Sequence, residues 1–458
     1  MILFKSFKLI KDLYLKIKKL GFNIFFKIFN CLLLFIPKNF KNFNQKVKII
    51  FFSFNFDLND DISKIRLILK SFISLNNSKL EYNEKRDLFS FVLNVCKINI
   101  DDSFLNRYFY VISDKDRASS KQIDLIKIVK NYNDNDFHSL VMLKKISYAL
   151  GLYKLSFYLR LFLERKVLKS NSQNKQDLIY KFNVSLFLNN EKVFKSTSEK
   201  LDKNFFLNRS CQVFNPKDCY SFFFQNKNFS ANKYLNTSDL QYKEIIENKT
   251  VAIIGPSNSL LNQKDQIDNF DIVIRMNQEE PLEKSFADFI GTKMDINYFG
   301  GGLIHNRKEK VFDFINESKI KFVCFKNDKT VEDYNLPNVK ARQWFEFPWS
   351  FECSHMMIQN ILLDLLCFNP KKIKLFNIDF YLGKKKYLSN KYKLGVYSRS
   401  PVFDLHDPYV NYKVVKFLYE KGIIEVDANI EKILKYSNRY YVKILEEVNK
   451  DTAFNLIY

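Results

Sequence analysis

Glycine, proline, histidine and tryptophan are scarce in this chain of 458 residues, with 10, 9, 4 and 2 copies. Neither G-x-G-x-x-G nor G-x-x-x-x-G-K-[ST] occurs, which excludes the ordinary dinucleotide and P-loop phosphate cradles. The seven cysteines, Cys31, Cys96, Cys211, Cys219, Cys324, Cys353 and Cys367, form no C-x-x-C pair and have no histidine spacing that would complete a zinc site. Buried free thiols in a reducing compartment are the simpler expectation. No run supplies the ~20 clean apolar residues that cross a bilayer. The nearest, "GFNIFFKIFNCLLLFIP", is interrupted by Asn23, Lys27 and Asn30, and no small-residue cleavage site follows it.

What is present is apolar and basic. Hydrophobic residues make up 47% and charged residues 27%, with 48 Phe and 25 Tyr, a composition that folds rather than staying disordered. The length suggests two domains and a short appendage. A formal charge of +23 favours anionic partners, although a bias toward Lys, Asn, Ile and Phe is also what AT-rich coding produces. The lysines are scattered rather than clustered with aromatics in a known module, so no nucleic-acid partner is expected.

At the N-terminus Leu3, Phe7, Ile10, Tyr14 and Ile17 recur at helical spacing, with Lys5, Lys8, Lys11, Lys16 and Lys19 on other faces. Residues 1–48 therefore read as a basic amphipathic segment, with eleven lysines and one aspartate. Two readings stand: peripheral attachment of a cytoplasmic protein to an anionic membrane surface, or a helix pair docked on the protein itself.

Residues 57–225 carry helical periodicity, as in "ISKIRLILKSFISL" and "KQDLIYKFNVSLFL", and read as an all-α domain. Residues 226–249 are polar and linker-like. From residue 250 to 458 the pattern changes. "TVAIIG", "FDIVIRM", "MDINYFG", "IKFVCF" and "KIKLFNI" read as strands alternating with helix-length segments, and "ANIEKILKYSNRYYVKILEEVNK" as one final helix. That alternation predicts an α/β domain with a mainly parallel sheet and a ligand site beyond the carboxyl ends of its strands.

The first strand ends at Gly255, Pro256, Ser257 and Asn258, where a residue without a side chain precedes hydroxyl and amide groups beside exposed backbone N–H groups. Such a turn suits a phosphate or ribose, and serves equally as an ordinary bend. The second strand ends in Arg275-Met276-Asn277, whose alternation would put Arg275 and Asn277 on one side. Asn277 is placed either to hydrogen-bond a nucleotide or sugar or to tie down a loop.

The stretch from Val251 to Phe299 resembles the large sialylmotif of animal-type sialyltransferases (glycosyltransferase family 29), through Gly255, Ser257, Ile267, Asp268, Asp271, Arg275, Asn277, Asp288, Gly291 and Lys293. Downstream, "NIDFYLGKKKY" and "HDPYVNYKVVKFLYEKG" resemble the bacterial CMP-sialic acid transferases (glycosyltransferase family 42), through Asp379, Tyr381, Tyr387 and His406. At the turn before the second motif's long helix, Cys353, Ser354 and His355 replace the family's Ser-Gly, which offers His355 to the phosphate.

The resemblance implies a Rossmann-like, GT-A-variant glycosyltransferase. It would move sialic acid or a related nonulosonic acid from a CMP donor to a hydroxyl of a surface polysaccharide or lipooligosaccharide, inverting the anomeric centre. Gly255, Ser257, Asn258, Asn277, Ser354 and Asp379 would hold the nucleotide. Tyr381 and Tyr387 would meet the departing phosphate, whose single charged group two hydroxyls can stabilise without a cofactor or metal, and His406 would be the base. Two alternatives remain: a transferase for CMP-Kdo or another CMP-sugar, and a non-catalytic, membrane-associated interaction protein with a degenerate nucleotide module.

Overall fold

A computed structural model describes residues 61–113, 124–125 and 137–454, apart from Asn77, Lys79, Asn99, 172–174, 202–208, Asn226, Asn228, 230–233, 258–260, Glu283, 327–338, 350–352, Ser354 and 384–406. The chain forms two compact units that divide between Ser113 and Asp114. Within the first, α1 (Asp61–Asn76), α2 (Tyr82–Val95) and α3 (Asp102–Ser113) bring one face each together. Phe72, Phe89 and Phe109 meet there with ring centroids 5.3–6.2 Å apart.

The second unit begins with helices α4 (Phe137–Ala149), α5 (Tyr153–Lys169), α6 (Lys175–Phe187), α7 (Glu191–Ser198), α8 (Arg209–Val213) and α9 (Pro216–Gln225). The long apolar run around "YALGLYK" breaks at Gly151, whose φ of 77° closes α4 as the Leu152 N–H bonds back to the Ser147 carbonyl. The polar stretch read as a linker contains α10 (Thr237–Ile246). Asn236 caps that helix, and its Asp239 and Tyr242 are fully buried.

The remaining elements are β1 (Thr250–Ile254), α11 (Lys264–Asp268), β2 (Ile272–Met276), α12 (Lys284–Ile290), β3 (Ile296–Phe299), α13 (Gly301–Glu317), β4 (Phe322–Phe325), β5 (Lys340–Gln343), α14 (Met357–Leu366), β6 (Lys372–Phe376), α15 (Pro408–Glu420), β7 (Glu425–Val426), α16 (Ala428–Leu434) and α17 (Asn438–Phe454). The expected last helix is two. α16 ends at Leu434, and the Ser437 hydroxyl accepts the Tyr440 N–H as a new helix starts.

The seven strands among the described residues are all parallel, in the order β5-β4-β3-β2-β1-β6-β7. This is the α/β class that the alternating pattern predicts. Side chains alternate between the faces of each strand. Val251, Ile253, Ile274, Tyr298, Cys324 and Leu375 enter one large core with Phe157, Phe182, Trp349, Leu362 and Tyr441. Ala252, Ile254, Val273 and Phe376 pack on Ile267 and Ile290, while Phe299, Val323 and Phe325 pack on Val311 and Ile315. Both faces are thus covered, as a parallel sheet requires. Helices 137–246 contribute to the same core as the sheet, and both lie in the second unit.

Among the described residues six cysteines form no disulfide, and five of them are buried. Among the described residues no helix is long and apolar enough to cross a membrane. The basic segment 1–48 lies outside the described residues.

Candidate functional site

After β1 the chain steps outward to β5 on one side and then crosses back to β6 on the other, so the strand order reverses between β1 and β6. In open parallel sheets ligands bind in the crevice beyond the strand ends at such a reversal. The residues that leave β1, β2 and β6 there are Gly255–Ser257, Asn277 and Asn377–Tyr381.

Asn377 ties the first and last of these together. It takes a left-handed backbone (φ 57°), a conformation asparagine tolerates better than most residues. Its Nδ2 donates to the carbonyls of Gly255 and Ser257, its Oδ1 accepts the Ser257 hydroxyl at 3.4 Å, and its N–H donates to Asp427 Oδ2 at 2.7 Å. The Ser257 hydroxyl is thereby buried against Asn377. Gly255 has a different reason from open access for a ligand: a Cβ there would collide with Ile378 Cγ1 and the Asn377 carbonyl. Gly255→Ala forces these two turns apart and is expected to cost about 1–3 kcal/mol of stability as an overpacking change. Urea denaturation measures it, and an unchanged midpoint contradicts the close approach.

Arg275 and Asn277 part company. Arg275 is buried and spends its guanidinium on the carbonyls of Ile290, Gly291 and Lys293, at 3.0, 2.8 and 3.1 Å, and burial pulls its pKa down to about 10. Asn277 ends the strand's alternation with φ 51°. Its Oδ1 accepts the Gly300 N–H at 2.8 Å and its Nδ2 approaches Met357 Sδ. Other residues of the first motif serve the scaffold. Lys293 Nζ donates to the Asp268 and Phe270 carbonyls, and the left-handed Gly291 (φ 65°) leaves room for the Asp268 carboxylate. Asp271, at the opposite end of the sheet, accepts the Thr250 N–H and hydroxyl, which holds its carboxyl below the usual range. Asp288 is exposed on α12. Gly255, Asn277, Glu279 and Glu280 line an open pocket with Phe286 and Leu282 at the carboxyl ends of β1 and β2.

Beyond β6, Phe380 and Tyr381 are consecutive bulky residues with φ of 49° and 65°. Conformations that cost energy persist only where the surroundings over-determine them. Here Asp379 accepts the N–H groups of Tyr381 and Gly383 at 2.9 and 3.1 Å, so its carboxylate organises this turn. The Tyr441 hydroxyl donates to the Phe380 carbonyl at 2.9 Å, and Asn449 Nδ2 to that of Tyr381 at 3.2 Å. Tyr441 itself lies against Tyr412 with centroids 4.1 Å apart. Its hydroxyl pKa is raised well above the ordinary value by burial, then by Asp407, Asp379 and Tyr381, so these groups share one electrostatic environment.

Asp407 starts α15, accepting the Tyr409 N–H at 3.0 Å just before Pro408, which needs no donor in a first helical turn. Its other oxygen takes Arg160 Nη1 at 2.8 Å, while Arg160 Nε binds Glu164 at 2.8 Å. Burial opposes the charge on Arg160, yet Glu164 and Asp407 together hold it protonated. No motif in the sequence marks Asn377, Glu279, Asp407 or Arg160. Asn377 and Asp407 carried a signal, an asparagine at a strand end and an aspartate before proline, whereas Arg160 sits in a helix far upstream and carried none.

Asn258, Ser354, Tyr387 and His406 lie outside the described residues. His355 is buried, with Nε2 donating to the Trp349 carbonyl at 3.0 Å and its ring beside Phe347 and Phe187. No protein-family model matches the chain, and no curated protein matches it.

Proposed function

We propose that the second unit is a CMP-sugar-dependent glycosyltransferase with a Rossmann-like, GT-A-variant catalytic domain, transferring sialic acid or a related nonulosonic acid to a glycan hydroxyl. One observation carries the reading. Gly255, Asn277, Asp379 and Tyr381, recruited from two motif blocks far apart in sequence, gather at the carboxyl ends of β1, β2 and β6, where the strand order reverses.

The chemistry asks little more of the chain than orientation and charge. The acceptor oxygen attacks the anomeric carbon as the bond from that carbon to the CMP phosphate oxygen breaks. The acceptor proton passes to a base, and the electron pair leaves on the phosphate. Attack opposite to the leaving group inverts the centre. His406 is the base in this reading, and Tyr381 and Tyr387 donate hydrogen bonds to the phosphate as its charge develops. The anchored Phe380–Tyr381 turn fits that role, since a donor fixed in advance needs no reorganisation at the moment of reaction. Asp379 then acts through the turn, and Ser257 through Asn377.

Calorimetric titration of CMP into the full chain tests the donor class, and incubation with a panel of CMP-sugars and glycan acceptors, read by mass spectrometry, tests the sugar. Saturable CMP binding with transfer of one CMP-sugar is the expected result. No binding at millimolar CMP sinks the reading and favours a protein that only docks partners.

A further inference from the structure

We infer that Glu279 reads the ribose hydroxyls of the donor nucleotide, so that the pocket between the ends of β1 and β2 takes the nucleoside and turns the phosphate away toward Tyr381. The inference rests on the CMP-donor reading above and goes past the residues that reading uses.

The pocket's charge carries the argument. Its ionic lining consists of Arg275, Glu279 and Glu280. Arg275 is not available to an anion, because three backbone carbonyls hold its guanidinium. The ionic groups left at the pocket wall are therefore carboxylates, held in part by Lys310, whose Nζ lies 3.8 Å from Glu279 Oε1 and 3.3 Å from Glu280 Oε2. A phosphate beside two carboxylates would be repelled. Hydroxyl groups would be attracted: an ionised carboxylate only accepts hydrogen bonds, and a ribose hydroxyl offers one.

Position agrees with charge. Glu279 lies two residues after Asn277, which leaves β2, the neighbour in the sheet of the strand that bears the Gly255 turn. In the dinucleotide-binding members of the doubly wound class an acidic side chain about 20 residues after the first turn accepts a ribose hydroxyl, and Glu279 stands at the comparable place although the glycine fingerprint is absent. Glu279 is mostly buried, so its carboxylate is held at the pocket wall instead of being free in solvent, where a hydrogen bond to it would count for little.

The test compares CMP with 2′-deoxy-CMP by calorimetry on the full chain, for the wild type, Glu279→Gln and Lys310→Ala. The wild type should bind CMP about ten- to a hundredfold more tightly than the deoxy form, the range for one hydrogen bond to a charged group. Glu279→Gln should lose most of that preference by weakening CMP alone, while Lys310→Ala keeps it. Equal wild-type affinities, or an unchanged ratio in a Glu279→Gln protein with wild-type urea midpoint, overturn the role of Glu279 and leave the donor class standing. The wild-type comparison needs no variant to fold. Absence of CMP binding to the wild type overturns the donor class itself, and this inference with it.

Discussion

Arg342→Met destabilises the second unit by about 3–5 kcal/mol, the cost of removing one partner from a buried ion pair. Arg342 and its partners Asp239 and Asp364 are fully buried. The guanidinium bonds Asp239 at 2.8 Å and both oxygens of Asp364 at 2.7 and 2.9 Å. Asp364 also accepts the Tyr298 hydroxyl at 2.6 Å and the Phe345 N–H at 2.7 Å, and Arg209 pairs with Asp239. The rings of Tyr242, Phe345 and Phe368 surround the cation at 4.6–5.1 Å. Burial disfavours its charge, but Asp364 more than offsets this, so Arg342 stays protonated. Methionine fills much of the space and leaves two carboxylates facing one another in the core. Urea denaturation followed by circular dichroism should show the midpoint falling with little change of slope. Adding Asp364→Leu should recover part of the loss, since the orphaned carboxylate is its main cause. A midpoint shift worth less than about 1 kcal/mol would remove this network from the account of what joins α10, β3, β5 and α14.

The same network shows where sequence reading stops. β1, β2, β3, β4 and β6 were legible because they are short β-branched or aromatic runs buried on both faces. β5 reads Lys-Ala-Arg-Gln, and no apolar pattern marks it. It pairs on one side only, its two lysine- and glutamine-bearing ends are partly or fully exposed, and its one buried side chain is a charged arginine. β7, two residues long at the opposite edge, gives no pattern either. Helical periodicity announced the helices of residues 137–225 but not what their apolar faces cover. Those faces share the core of the sheet, and a long-range bond such as Arg160 to Asp407 has no local trace. At the site, strand-end polar residues such as Asn277 could be noticed. The left-handed Phe380 and Tyr381 could not, since bulky residues rarely adopt that conformation and the groups that hold it, Tyr441 and Asn449, come from the last helix.

On the proposed CMP-sugar reading, in which His406 is the base, His406→Ala should lower transfer by about 10²–10⁴-fold, the usual contribution of a positioned general base, with CMP affinity unchanged because that base meets the acceptor rather than the nucleotide. Tyr381→Phe should lower kcat by about 10²–10³-fold, the cost of one donor to a developing oxyanion, again with a small change in affinity, since the hydroxyl's bond strengthens as the phosphate charge grows. The two effects divide the mechanism into its proton and its leaving group. Single-turnover transfer with CMP-sugars bearing better leaving nucleotides would separate them: a better leaving group should rescue Tyr381→Phe and leave His406→Ala impaired. Full activity in His406→Ala removes its role as base. Rescue of both variants alike would mean that neither side chain acts at the step assigned to it. The Phe380–Tyr381 turn supplies the control. Tyr441→Phe removes the bond to the Phe380 carbonyl while touching neither motif residue. If the turn must be held in advance for the Tyr381 hydroxyl to act, Tyr441→Phe should depress kcat in the wild type but add little to Tyr381→Phe, because residues that work as one unit are not additive.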